Sequence, residues 1–263
     1  MSDAVVLTLR APLDGRLDLS GVTPDRCAGL STSELAALPV WLGGTRESLG
    51  DVFDVRGERA ARVEIEGDLS TACGVGARMA GGVLHVHGSV GDDAGQAMSG
   101  GVLRVDGHAG DRLGGGAPGA AKGMTGGEIV VFGSVGESAG ALMRRGLVAV
   151  AGGVGAYAGR GMIAGTLLAL GPVGEQPGAG NKRGSIVAAG GVAVPASYRF
   201  ACSYEPPHVR LLLTSLRRRF GFPCDPGLLN GRFDRYCGDA GEPGKGEMLV
   251  WTGYTDGDER TSR

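Results

Sequence analysis

The stretches GSVGESAGALMRRGLVAVAG (133–152) and GGVGAYAGRGMIAGTLLALG (152–171) decide the fold, because they are two successive copies of one pattern. A glycine follows a short alternating apolar segment at Gly67, Gly88, Gly107, Gly133, Gly152, Gly171 and Gly190. The spacings are 21, 19, 26, 19, 19 and 19 residues, so seven units are repeated and one carries an insertion of seven. Four and two residues before each glycine stand pairs such as Leu84/Val86, Leu103/Val105, Ile129/Val131 and Val148/Val150. Side chains alternate sides along a strand, so each pair shares a face. Leu69, Val90, Ala109, Val135, Val154, Val173 and Val192 form a second apolar line two residues after the glycines. A third slot holds Met79, Met98, Met124, Met143 and Met162, then Asn181.

Nineteen residues are too few for a strand–helix–strand unit, and no 3.6-residue period runs through them. They suit one turn of a solenoid in which each coil pairs edge to edge with the next. The expectation is an all-β fold, a right-handed parallel β-helix of about seven coils spanning 61–192. An N-terminal cap takes 1–60 and a C-terminal wrap 193–263. Extended pieces near Val5–Leu9 and 16–19 belong to the first cap, as does a short helix opened by the capping box Ser31/Glu34 and limited by Pro39. In the wrap, Val209, Leu212, Leu213, Leu216 and Phe220 follow helical spacing up to Gly221.

The repeat accounts for the composition. Glycine makes up 52 of 263 residues, and 36 of those lie in 67–191. No every-third-residue glycine period supports collagen, and 42% hydrophobic residues at a net charge of -2 argue against disorder. No apolar run approaches the roughly 20 residues of a membrane helix, and the N-terminus lacks a signal-peptide pattern. Cys27, Cys73, Cys202, Cys224 and Cys237 are odd in number and scattered, so free thiols and a cytoplasmic location are expected. Net charge and the lack of interleaved aromatics speak against nucleic acid.

Outward positions change character along the stack. Stacking sets His85 between Glu64 and Arg104, and His87 between Glu66 and Asp106, a ladder of mostly alternating charge. His85, His87, Glu66 and Asp106 have the chemistry of a metal site, but a solvated charge ladder is the plainer reading, and no metal is assigned. Later coils turn apolar outside, at Val130, Phe132, Leu168, Leu170 and Val187. Contiguous apolar surface needs a cover: either the amphipathic C-terminal segment or a partner protein, for which these five residues are the candidate interface. At the corners an acidic column (Asp92, Asp111, Glu137, Glu175) neighbours a basic set, Arg144, Arg145, Arg160, Lys182 and Arg183. Stacked like charges repel, so the basic set is better placed to meet an acidic ligand or partner. Gly114, Gly116 and Gly119 match a dinucleotide-binding pattern but fall inside the insertion, without the strand–helix context it needs. No nucleophile and base are paired; His208 near Cys202 has no orienting third group.

Two corner segments, GDDAGQAMSGG (91–101) and GESAGALMRRG (136–146), resemble the glycine-rich domain shared by glutamate synthase large subunits and the C subunit of formylmethanofuran dehydrogenase. The flanking RLDLSGVTPDR (16–26), LGDVFDVRG (49–57), YCGD (236–239) and GKGE (244–247) resemble the C-subunit pattern over nearly the whole chain. This resemblance implies a non-catalytic scaffold with no cofactor of its own. Its partners would be a metal-dependent hydrolase-like A subunit, the B subunit and a formyltransferase D subunit, which hold the metals. Two settings are implied. One is a formyltransferase/hydrolase complex moving a formyl group from tetrahydromethanopterin to a methanofuran-type carrier and releasing formate; the other is a molybdenum or tungsten formylmethanofuran dehydrogenase. Twenty-three arginines against three lysines tilt the reading to the bacterial formyltransferase/hydrolase. In that setting the basic set is a candidate contact for the acidic carrier.

Overall fold

The computed structural model describes residues 4–242 and 244–253. The fold is dominated by sheet, with four single-turn helices and one of 14 residues among the described residues, and so is less purely β than the repeat alone implies. The N-terminal part runs β1 (Val5–Leu9), β2 (Leu17–Asp18), α1 (Pro24–Cys27), α2 (Thr32–Ala36), β3 (Pro39–Leu42), β4 (Thr45–Ser48), α3 (Leu49–Val52) and β5 (Phe53–Arg56). The repeat supplies β6 (Arg62–Glu66), β7 (Ala72–Cys73), β8 (Val83–Val86), β9 (Val102–Val105), β10 (Glu128–Val131), β11 (Leu147–Val150), β12 (Thr166–Ala169) and β13 (Ser185–Ala188). The remainder is β14 (Arg199–Tyr204), α4 (Pro207–Phe220), α5 (Pro226–Leu229), β15 (Arg232–Gly238) and β16 (Gly246–Gly253).

Equivalent residues of successive repeats stack in register. Val131 pairs with Val150 and Val150 with Ala169, all parallel. The parallel run is longer than the repeat, because β1 adds a strand before β6 and β16 adds one after β13. One inner column therefore reads Leu7, Ile65, Val86, Val105, Val131, Val150, Ala169, Ala188, Val250. The second apolar line forms its own column of parallel bridges from Leu69 through Val90, Ala109, Val135, Val154 and Val173 to Val192. All five methionines of the third slot are fully buried. Asn181, which replaces methionine in the last repeat, is also fully buried; its amide donates to the Gly184 carbonyl at 2.9 Å and accepts from the Gly184 N–H at 2.8 Å. A buried amide is tolerated there because both its ends are bonded.

Two kinds of glycine hold this stack together. At the marker glycines from Gly88 onward an added Cβ would strike the backbone of the preceding repeat; for Gly171 it would lie 2.5 Å from the Gly152 carbonyl carbon. In the turn, Gly76, Gly95, Gly114, Gly140, Gly159 and Gly178 all sit at φ between +62° and +68°, with their missing Cβ aimed into the core. Two residues earlier, Asp93, Arg112, Ser138, Tyr157 and Gln176 share the same left-handed conformation with side chains intact.

The two ends are closed by antiparallel pairs, β5 on β1 and β15 on β16, with β14 beyond β15. The capping box at Ser31 forms as its sequence predicts, with Glu34 Oε2 accepting the Ser31 N–H at 2.9 Å. Among the described residues no helix is long and apolar enough to cross a membrane.

Helix α4 lies over the outside of the later strands. Val209, Leu213 and Leu216 on its inner face join Val130, Ala149, Leu168, Val187 and Leu249 of the sheet in one buried cluster, with Phe132, Leu170, Leu212 and Phe220 packed against it. This corrects the reading of Val130, Phe132, Leu168, Leu170 and Val187 as a surface for another protein. The first alternative holds: the amphipathic segment of the same chain covers this face, burying Val130, Leu168 and Val187 and packing on the partly exposed Phe132 and Leu170, because its apolar stripe matches the apolar stretch of the outward column. The change from polar to apolar marks the helix end. Arg104, the ladder neighbour of Val130 and the last charged member of that outward column, donates to the Phe220 carbonyl at 3.2 Å and sits 4.6 Å from the Phe132 ring centre. A cation at a helix C-terminus satisfies an orphan carbonyl and complements the dipole. Arg219 reaches back to Glu128 at 2.7 Å.

Candidate functional site

The corner turns of four successive repeats, the first carrying the seven-residue insertion, build an open groove. Its lining includes Arg112, Ser138, Leu142, Arg160, Lys182 and Glu242, with Gly115, Gly116 and Ala121 of the insertion forming a wall. Backbone bonds fix the order of the rungs: Leu142 N–H donates to the Arg160 carbonyl at 2.9 Å, and Lys182 N–H to the Met162 carbonyl at 2.8 Å. The insertion is tied in by Gly123 N–H to the Leu142 carbonyl at 2.7 Å.

Of the sequence-predicted basic set, Arg160 and Lys182 are brought together here. Arg144, Arg145 and Arg183 lie outside the lining. Arg160 stands over the Tyr157 ring at 5.8 Å, and Lys182 Nζ is 3.8 Å from Glu242 Oε2. Arg112 went unnoticed in the sequence, although its place beside the acidic column was a signal. Its guanidinium bonds both Asp93 oxygens at 2.8 Å and Asp92 at 3.2 Å. Those bonds hold the Asp93 carboxyl below the usual carboxylate range. Glu242 lies outside the repeat, and no sequence signal pointed to it. The acidic column is largely structural: Asp92 accepts the Asp111 N–H at 2.9 Å, and Asp111 accepts the Glu137 N–H at 2.8 Å.

A second cluster lies on the outward face of the early strands. Glu64 pairs across the ladder with His85, and His85 with Arg104, as the repeat predicts. The side chains cross diagonally, however. His85 Nε2 meets Asp106 Oδ2 at 2.8 Å, and His87 lies 3.4 Å from both Glu64 Oε2 and Asp106 Oδ2. Glu66, expected in this group, instead accepts from Thr8 Oγ1 at 2.8 Å, because β1 lies beside β6. Burial pushes the His85 imidazole below its ordinary range, while the Asp106 hydrogen bond pulls the other way. The five cysteines are free thiols, and burial pushes that of Cys27 up to about 11.

A stack of repeat-built parallel strands, capped by its own chain and carrying charged ladders on its corners, is a repeat protein of the glycine-rich stacked-strand class. No family model matches the chain. It is 30% identical over 92 residues to the C subunit of the molybdenum-containing formylmethanofuran dehydrogenase 1 of Methanosarcina barkeri, and 35% identical over 85 residues to the C subunit of the formyltransferase/hydrolase complex Fhc of Methylorubrum extorquens. The aligned segments span about a third of each of these two relatives and about a third of this chain. A crystal structure of the formyltransferase/hydrolase complex FhcABCD from Methylorubrum extorquens with methylofuran contains a chain similar throughout: 33% identity, TM-score 0.77, 93% of this chain and 98% of that one covered. The chain belongs to the C-subunit family of formylmethanofuran dehydrogenases and Fhc complexes.

Proposed function

We propose that this chain is the non-catalytic C subunit of a formyltransferase/hydrolase complex in one-carbon metabolism. Its A, B and D partners carry the chemistry: formyl transfer from formyl-tetrahydromethanopterin to a methanofuran-type carrier, and hydrolysis to formate. The observation that carries this reading is the similarity over almost the full length to a chain of a complex with that activity. The dehydrogenase setting is the second reading, supported by the shorter similarity to the Methanosarcina barkeri protein.

In this reading the chain is a right-handed parallel β-helix spanning 61–192, between a cap at 1–60 and a wrap at 193–263. The two separate columns of parallel bridges support coils that close on themselves. A stiff stack suits a scaffold that holds other chains in place, and the five free thiols suit a cytoplasmic location. With the later strands covered by α4, the partners meet the chain elsewhere. The groove around Arg112, Arg160 and Lys182 is the place for an acidic carrier tail, with Glu242 the carboxylate such a tail displaces.

Co-expression of the tagged chain with candidate A, B and D partners, followed by native mass spectrometry and a formyl-transfer assay, tests the assignment. Formyl transfer should require the assembled complex, and activity of the isolated chain would overturn the scaffold reading. Reversing both Arg160 and Lys182 to glutamate should weaken carrier retention at least about tenfold and leave assembly intact. Unchanged retention would remove the groove from the carrier's path.

A further inference from the structure

We propose that Glu64, His85 and His87 form a binding site for a divalent transition-metal ion of the zinc type, built on the outside of the stack and separate from the groove. The three residues offer ligand atoms that all lie within 4.8 Å of one another. Two imidazoles and one carboxylate make a three-ligand set of the kind that leaves zinc a fourth position for water.

The ladder explains how these groups converge. His85 and His87 are two residues apart at β8, on one face, with ring centroids 3.9 Å apart. Glu64 is the cross-strand neighbour of His85 on β6. The separation of His87 Nε2 from Glu64 Oε2 is 3.4 Å. Two ligands each about 2.0–2.1 Å from a tetrahedral ion lie roughly that far apart, so this pair needs little movement, and one ring nitrogen of His85 closes the set.

The surroundings are those of a ligand shell already oriented. Arg62 binds only Oε1 of Glu64, at 2.7 Å, which leaves Oε2 turned to the histidines. Asp106 stands behind both rings, bonded to His85 Nε2 at 2.8 Å and 3.4 Å from His87 Nδ1, while its other oxygen accepts from Arg104 Nε at 2.8 Å. A carboxylate that holds the second nitrogen of a ligating histidine fixes its tautomer and ring orientation. Side-chain exposures of 24% for Glu64 and 38% for His87 leave a path from solvent to the cluster, and His85, at 12%, closes it from the inner side. Cys73, Cys202 and Cys237 are at least partly accessible thiols, but no cysteine belongs to this cluster, so a thiolate signal in the titration below distinguishes them from it.

The test uses the full chain, stripped with a chelator and titrated with Co2+, then with Zn2+. The expected result is a visible absorption of tetrahedral cobalt that saturates at one equivalent and is abolished by one equivalent of zinc. His87→Gln and Glu64→Gln, both at partly exposed positions that leave the stack folded, should each lower cobalt affinity at least about tenfold, and Asp106→Asn about 10–100-fold. Circular dichroism checks that the variants fold. Failure of the wild-type chain to take up cobalt, equal affinity in His87→Gln, or a sulfur-to-cobalt charge-transfer band would each overturn the proposal.

Discussion

At Gly171 the side chain that would be added by mutation has backbone on its far side, with the Gly152 carbonyl carbon at 2.5 Å and the Gly153 nitrogen at 2.6 Å. No rotamer change relieves that contact; the two repeats must part. Gly171→Ala should therefore cost about 2–3 kcal/mol, lowering the melting temperature by about 5–10 °C for a chain of this size in a calorimetric scan. Ser138→Gly is the counter-experiment. Ser138 already holds φ at +59° with its side chain outside, so glycine there should leave stability within about 1 kcal/mol. The sequence displayed the glycines but not their two purposes. Close approach to a neighbouring repeat and an inward-facing left-handed turn both read as glycine, and the residues that adopt the same turn facing outward are ordinary ones.

Charge at single residues has a pH signature. Asp93, held by Arg112, has a folded-state pKa below its unfolded value of about 3.9. A depressed carboxylate contributes stability that is present above the unfolded pKa and is lost as pH falls through the folded one. The contribution should therefore be intact at neutral pH and disappear below about pH 4. Arg112→Met removes the cause. Urea denaturation across pH 2–7 should show the variant less stable than the parent at neutral pH, with the gap narrowing toward pH 2; a constant gap would contradict the ion pair's role.

At the scale of elements, α4 is the decisive packing unit outside the stack. Leu216→Ala empties a buried position between helix and sheet and should destabilise by about 3 kcal/mol. Leu211, 71% exposed on the other side of the same helix, should tolerate alanine within about 0.5 kcal/mol. Aspartate at Phe132 and Leu170 together should unseat the helix and unfold the chain at lower denaturant, in the absence of any partner. The helix, its length and its apolar face were legible in the sequence, and so was the apolar column it covers. What periodicity could not supply was which of two covers is used, because a helix of the same chain and a foreign surface bury the same residues equally well.

Across the whole molecule, the columns of the stack were readable residue by residue, since a fixed period forces equivalent positions into line. The ends were not. β16 carries no copy of the repeat, yet it continues the parallel ladder beside β13, with Met248 opposite Ile186 and Val250 opposite Ala188. Its alternation is short, and pairing with a strand far back in the chain leaves no trace in local pattern. The groove was half legible for the same reason: Arg160 and Lys182 lie within the period, whereas Glu242 arrives from the non-repetitive segment. A chain truncated before β15 should lose the cover of the β13 edge and, by the ordinary hazard of unpaired strands, form soluble aggregates detectable by light scattering while the full chain stays dispersed.

That out-of-order strand also has a consequence for biosynthesis. The chain leaves the ribosome from its N-terminus, so the parallel strands accumulate one beside another while the seat beside β13 stays vacant until some sixty further residues have emerged. Throughout that interval the nascent molecule is adhesive, with its lock still to come.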